Sequence, residues 1–213
     1  MNNYITIYYI MINVYDRQQL NIVESECGFK SENIICTGST AKFNATFNFI
    51  FHRPDVYSHI YLYTDTNKIL VTLLIKKLGS KITILSSIRD MRSFTFKKHS
   101  LVIYDYDYAQ LNHCENNIKD SFIFTRMKHI SCIIQVKNIY NLPSILKHSI
   151  QYIIVASKTQ SRNVHTICNL LNNIDFKLLN TTIENYADPL NNVCTIKIHS
   201  DKHLYKDFDI FNN

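Results

Sequence analysis

The sequence predicts an α/β protein with a mostly parallel sheet, and three observations carry that expectation. Short runs rich in β-branched and aromatic residues recur along the chain, at 33–37, 59–64, 81–85, 100–104, 131–136, 152–156 and 193–198. Longer segments with helical patterning lie between them, at 45–51, 68–78, 112–125, 142–149 and 161–171. Strands alternating with helices in this rhythm make βα units. The chain has 213 residues, 46% of them hydrophobic, enough for one sizeable core rather than two.

Each element follows from local composition. The run 33–37, NIICT, is apolar and β-branched and ends in a small-residue turn. HIYLYT and SLVIY, at 59–64 and 100–104, are long enough for strands and too short for helices. The opening YITIYYIMINVY at 4–15 is apolar but has no basic flank before it and no small-residue cleavage site after it, so it reads as a buried strand rather than a leader or a membrane span. No repeat, low-complexity tract or linker interrupts the pattern. The expected organisation is an N-terminal extension at 1–30, one domain at 31–200 and a tail at 201–213.

Composition excludes several classes. Six cysteines, at 27, 36, 114, 132, 168 and 194, form no C-x-x-C pair and have no paired histidines at ligand spacing, so neither a zinc site nor a disulfide framework is indicated. His113 beside Cys114, and His129 near Cys132, are sequence neighbours, which rarely form a catalytic pair. The aromatic run YDYDY at 104–108 could stack bases if exposed, although aromatic residues in an apolar strand more often belong to the core. A net charge of +6 fits an anionic partner, and Lys76, Lys77, Lys81, Arg89, Arg92, Lys97 and Lys98 form the densest basic region.

The stretch NIICTGSTAKFNATFNFI at 33–50 has the layout of a phosphate loop: apolar strand, small-residue turn, amphipathic helix. The full pattern is G-x-x-x-x-G-K-[ST], whose glycines let the backbone wrap the phosphates while the lysine and hydroxyl reach the terminal phosphate and Mg2+. Gly38 stands alone here, followed by Ser39 and Thr40. Aligned without a gap, Asn44 stands in the lysine position and Ala45 in the hydroxyl position; aligned on Lys42, the loop is two residues short and Phe43 replaces the hydroxyl. Downstream, SLVIYD closes an apolar strand with Asp105, as a Mg2+-holding carboxylate requires. Tyr106 follows it, and the next acid, Asp107, stands two positions on; one position from 106, its side chain on extended backbone points to the opposite face from Tyr106. Asp107 therefore substitutes for an acid at 106 only if the strand ends at 105.

The order HIYLYT, LVIYD, TRMKHIS and NLPSILKHSIQYIIV resembles the poxvirus-type viral genome-packaging ATPases of the FtsK-HerA group, over roughly 33–198. That resemblance implies a three-layer RecA-like P-loop fold, oligomeric, using ATP and Mg2+ to drive double-stranded DNA into a virion. It implies phosphate binding by Gly38, Ser39, Thr40, Lys42 and Asn44, a metal at Asp105, and a water-orienting acid at Asp105 or Asp107. It puts a polar sensor at Lys137, with Gln135 one layer deeper, and an arginine finger at Arg126. The degraded loop implies weakened or lost hydrolysis, or a non-catalytic subunit kept for assembly with DNA, with its own copies or with an active paralogue. The expected location is the host cytoplasm or the virion, without a membrane.

Overall fold

A computed structural model describes residues 31–38, 41–52, 55–65, 69–85, 95–128, 130–171, 174–187, 193–198 and 204–206. The strand expected at 4–15 lies outside the described residues. In chain order the elements are β1 (Asn33–Thr37), α1 (Ala41–His52), β2 (His59–Tyr63), α2 (Ile69–Leu78) and β3 (Ile82–Ile84), followed by β4 (Ser100–Asp105), α3 (Tyr106–Leu111), α4 (Glu115–Met127) and β5 (Ser131–Val136). Then come α5 (Ser144–His148), β6 (Tyr152–Val155), α6 (Ser161–Leu170), α7 (Phe176–Tyr186), β7 (Cys194–Lys197) and β8 (Leu204–Lys206). Short 3₁₀ turns occupy Gly79–Lys81 and Ile139–Asn141.

The described strands form one sheet in the order β3-β2-β4-β5-β1-β6-β7-β8. Pairings from β3 through β6 are parallel, and β7 and β8 add an antiparallel edge. β8 lies within the segment expected as a tail. Its three residues, LYK, are too few to register as a strand by composition, and pairing with β7 decides their conformation.

Side-chain alternation sorts the core into two layers around the sheet. Ile34 and Cys36 of β1, Leu101 and Ile103 of β4 and Ile133 of β5 pack with Phe43, Phe47 and Ile50 of α1 and Val71 and Leu74 of α2. Ile35, Val102, Tyr104, Ile134 and Val136 face the other way, against Tyr106 and Ala109 of α3, Ile118 and Phe122 of α4, and helices α5 to α7. β1, β4 and β5 are buried along their whole length, which is why they read as continuous apolar runs. This is the three-layer, mostly parallel arrangement expected of a RecA-like core.

The winding fixes where a ligand belongs. The chain leaves β1 through α1 on one face and travels toward the β2 and β3 side. It leaves β5 through α5 on the other face and returns to β6, beyond β1. Adjacent strands β1 and β5 thus send their connections in opposite directions, and a crevice opens beyond their carboxyl ends.

Candidate functional site at the carboxyl edge of the sheet

β1 runs into Gly38, whose φ of +138° is one that L side chains rarely adopt. A Cβ there would stand 3.0 Å from Ser157 Oγ and 3.3 Å from Ala156 Cβ. The surviving glycine therefore serves close approach to the end of β6 as well as the turn. Ser39 and Thr40 lie outside the described residues. α1 begins at Ala41, so Lys42 sits in its first turn, where a phosphate-loop lysine would.

Lys42 is buried, and its ammonium is directed at the end of β4 rather than out to solvent. It forms an ion pair with Asp107 and lies 3.9 Å from Asp105 Oδ1. Asp105 is 1% exposed and does two local jobs. It caps α3, with Oδ1 accepting from the Tyr108 backbone N–H at 3.3 Å, and Oδ2 accepts from Thr64 Oγ1 of the β2 end at 2.8 Å. Because that cap starts a helix at Tyr106, Asp107 is not on extended backbone. It turns back within the first helical turn and reaches Lys42 from the same side as Asp105, which meets the condition the sequence set for it. Both Asp107 oxygens also accept from the Lys137 backbone N–H, at 2.9 and 3.2 Å.

Behind Lys42 lies a buried polar layer. Thr46 Oγ1 donates to the Lys42 carbonyl at 2.8 Å, and Gln135 Nε2 donates to Thr46 Oγ1 at 2.8 Å. Cys36 Sγ also donates to that carbonyl, at 3.4 Å, and burial pushes its thiol up to about 12, so it stays protonated as a donor. Gln135 pairs in register with both Cys36 and Asp105, and its Oε1 is buried without a partner among the described residues. Thr46 and Thr64 were not among the residues singled out from the sequence. The available signal for Thr46 was a hydroxyl one helical turn beyond Lys42; for Thr64 it was a hydroxyl closing an apolar strand.

The expected site residues divide accordingly. Gly38, Lys42, Asp105 and Asp107 converge with the Lys137 backbone, while the Lys137 side chain is exposed. Asn44 lies farther along α1, half-buried, its Oδ1 enclosed without a hydrogen-bond partner among the described residues. Phe43, which follows the lysine, is core and brings no hydroxyl. Arg126 belongs to the last turn of α4, and its side chain lies outside the described residues. Tyr104 and Tyr106 are fully buried, as the core reading of the aromatic run required. No cluster of three or more metal-ligating side chains occurs among the described residues, so a metal at Asp105 would take its other ligands from phosphates and water.

Two solved structures from viruses match this architecture across nearly their whole length. The DNA-packaging ATPase B204 of Sulfolobus turreted icosahedral virus superposes with a TM-score of 0.53 at 12% identity, over 84% of this chain and 98% of that one. The genome-packaging NTPase B204 of Sulfolobus turreted icosahedral virus 2, in complex with AMPPCP, gives 0.52 at 12%, over 83% and 97%. The conjugation coupling protein TcpA of pCW3, with ATPγS, gives 0.56 at 12%, over 83% of this chain and 60% of that one. The fold is that of the P-loop ATPases. No family model matches the chain, and no curated protein does.

Proposed function

We propose that this chain is a divergent viral DNA-packaging ATPase-like protein that binds Mg-ATP between Lys42 and Asp105 and hydrolyses it weakly or not at all. The supporting observation is the convergence of Lys42, in the first turn of α1, on Asp105 and Asp107 at the end of β4. One ammonium against two carboxylates leaves the crevice net negative, so a triphosphate enters only with a divalent cation. Bound Mg2+ supplies neutralisation of phosphate charge. The chain's own residues would supply the rest: Lys42 would bind phosphate oxygens, Asp105 would hold the ion, and Asp107, with the Lys137 N–H behind it, would orient a water. Arg126 would act on a neighbouring copy, which is why an oligomer on double-stranded DNA, in a viral factory or virion, belongs to this reading.

Weak hydrolysis follows from what is missing. Phosphoryl transfer depends on preorganised charge around the transferring group. Here one glycine stands where the pattern has two, Phe43 replaces the hydroxyl residue, and the lysine is already engaged by Asp107.

Thermal unfolding with and without millimolar Mg-ATP tests the reading, because a ligand of the native state raises stability by mass action. The midpoint should rise with Mg-ATP, should not rise with ATP and chelator, and should not rise in Asp105→Asn. Asn caps a helix as well as Asp, so that variant removes the charge and keeps α3. Phosphate release should stay near the enzyme-free rate. An unmoved midpoint in a folded protein would favour the second reading, a non-catalytic scaffold subunit. One observation supports that alternative: both Asp105 oxygens are already taken up by Thr64 and the Tyr108 N–H.

A further inference from the structure

The opposite edge of the sheet carries a second charged feature, built from three elements. Lys76 and Lys77 end α2, Lys81 closes the 3₁₀ turn before β3, and Lys97 and Lys98 precede β4. All five are exposed. Register brings them together: β2 pairs Ile60 with Ile82 on one side and His59 with Ser100 on the other, so the three strands start side by side. At about 4.8 Å per strand the starts of β3 and β4 stand roughly 10 Å apart, the scale of a nucleic-acid groove. His59 braces the centre, with Nε2 2.8 Å from Thr83 Oγ1 and Nδ1 3.3 Å from Lys97 Nζ. Lys77 Nζ lies 4.0 Å over the Phe51 ring.

The described partners of these lysines, His59 for Lys97 and the Phe51 ring for Lys77, carry no negative charge. Unlike Lys42, none of the five forms a salt bridge with a described residue. The carboxylates that precede β1 and β2 offer little relief: Glu32 is buried and accepts from the Tyr57 hydroxyl at 3.2 Å, and Asp55 is a single exposed acid. A helix C-terminus accounts for Lys76 and Lys77, since cations are favoured there. It does not account for Lys81, Lys97 and Lys98, which lie outside helices.

We propose that this amino-terminal edge of β3, β2 and β4 is a docking surface for duplex nucleic acid, gripping the phosphate backbone without reading sequence. Lysines are point charges on flexible stems, suited to phosphates rather than to base edges. The surface lies across the sheet from the Lys42 crevice, so docking does not require nucleotide there. The competing partner is an acidic peptide with an apolar anchor. A cavity of about 420 Å³ lined by Ile50, Phe51, Tyr57 and Leu78 opens between Lys77 and Lys81 and would take such an anchor.

Fluorescence anisotropy of the full chain on two labelled 25-base-pair duplexes of unrelated sequence, between 50 and 200 mM salt, decides the matter. Five phosphate contacts predict a slope of log affinity on log salt of about −4.5, the same for both duplexes. Lys81→Gln and Lys98→Gln should each reduce that slope by about 1. Both variants should keep the wild-type melting midpoint and the wild-type response to Mg-ATP, so failure here is separable from failure of the nucleotide reading. The proposal is overturned if the folded protein does not bind duplex at 50 mM salt, or if the two substitutions leave the slope unchanged. Displacement of the duplex by poly-glutamate at equal charge concentration would overturn it in favour of an acidic protein.

Discussion

At the scale of single residues, two aspartates two positions apart do different work because a helix starts between them. Asp105 is enclosed and spends its oxygens on Thr64 and the α3 cap, while the Asp107 side chain is 35% exposed and meets Lys42 and the Lys137 N–H. A phosphate oxygen arriving at Lys42 competes directly with Asp107. Asp107→Asn should therefore tighten Mg-ATP binding about threefold to tenfold, the scale of one partly solvated charge contact. Titration calorimetry of wild type and variant reads this; unchanged or weaker binding would mean that Asp107 does not restrain Lys42. The position of Asp105 was legible in the sequence, because it closes an apolar run, and the structure places it at the end of β4. The role of Asp107 was not, since it depends on where β4 ends. Gln135 was noted only as a deeper neighbour of Lys137, yet it reaches Thr46 on another element, a contact that no local pattern encodes.

At the scale of elements, legibility followed length and periodicity. β1 and β5 occupy the ranges read from composition, since a fully buried parallel strand leaves an uninterrupted β-branched run. α3 was missed because YDYAQL is six residues long and its alternating Tyr and Asp mimic a period of two; the Asp105 cap overrides that pattern. α7 was missed because FKLLNTTIENY is rich in Asn and Thr. Tertiary burial of Leu179 and Ile183, together with the Asp175 cap on the Leu178 N–H at 2.8 Å, makes it a helix. The β2–β3 edge yields a pH prediction through His59. Burial, aided by the Lys97 charge, lowers its pKa below the ordinary 6.5. The unfolded chain then takes up the proton first as pH falls, so stability is level above about pH 6.5, declines from there to the folded-state value and is level again below it. His59→Gln, a neutral residue able to reach the same partners, should flatten that decline in melting midpoints measured from pH 7.5 to 5.0. Equal slopes in both proteins would remove His59 as the cause.

At the scale of the whole molecule, the sheet order could not be read from composition, because the sequence supplies strands but not their neighbours. Given the order β3-β2-β4-β5-β1-β6, the handedness of βα crossovers sends α1 and α2 to one face and α3 through α7 to the other. The antiparallel β7 and β8 were beyond reach for a similar reason: their direction is set by pairing on β6. Both layers share the central strands, so they should melt as one unit. β5 offers a direct test, since Ile133 and Ile134 are adjacent in sequence, wholly buried, and belong to opposite layers. Truncation of either to Ala should cost about 2–5 kcal/mol. If the sheet couples the layers, Ile133→Ala and Ile134→Ala will each lower the midpoint of the same single transition, seen alike by far-ultraviolet circular dichroism and tyrosine fluorescence. A variant that split the melt into two steps would instead reveal layers that fold separately on a common sheet. A ligand at the Lys42 crevice would then shift both steps, because Lys42 rides on α1 in one layer while Asp107 rides on α3 in the other.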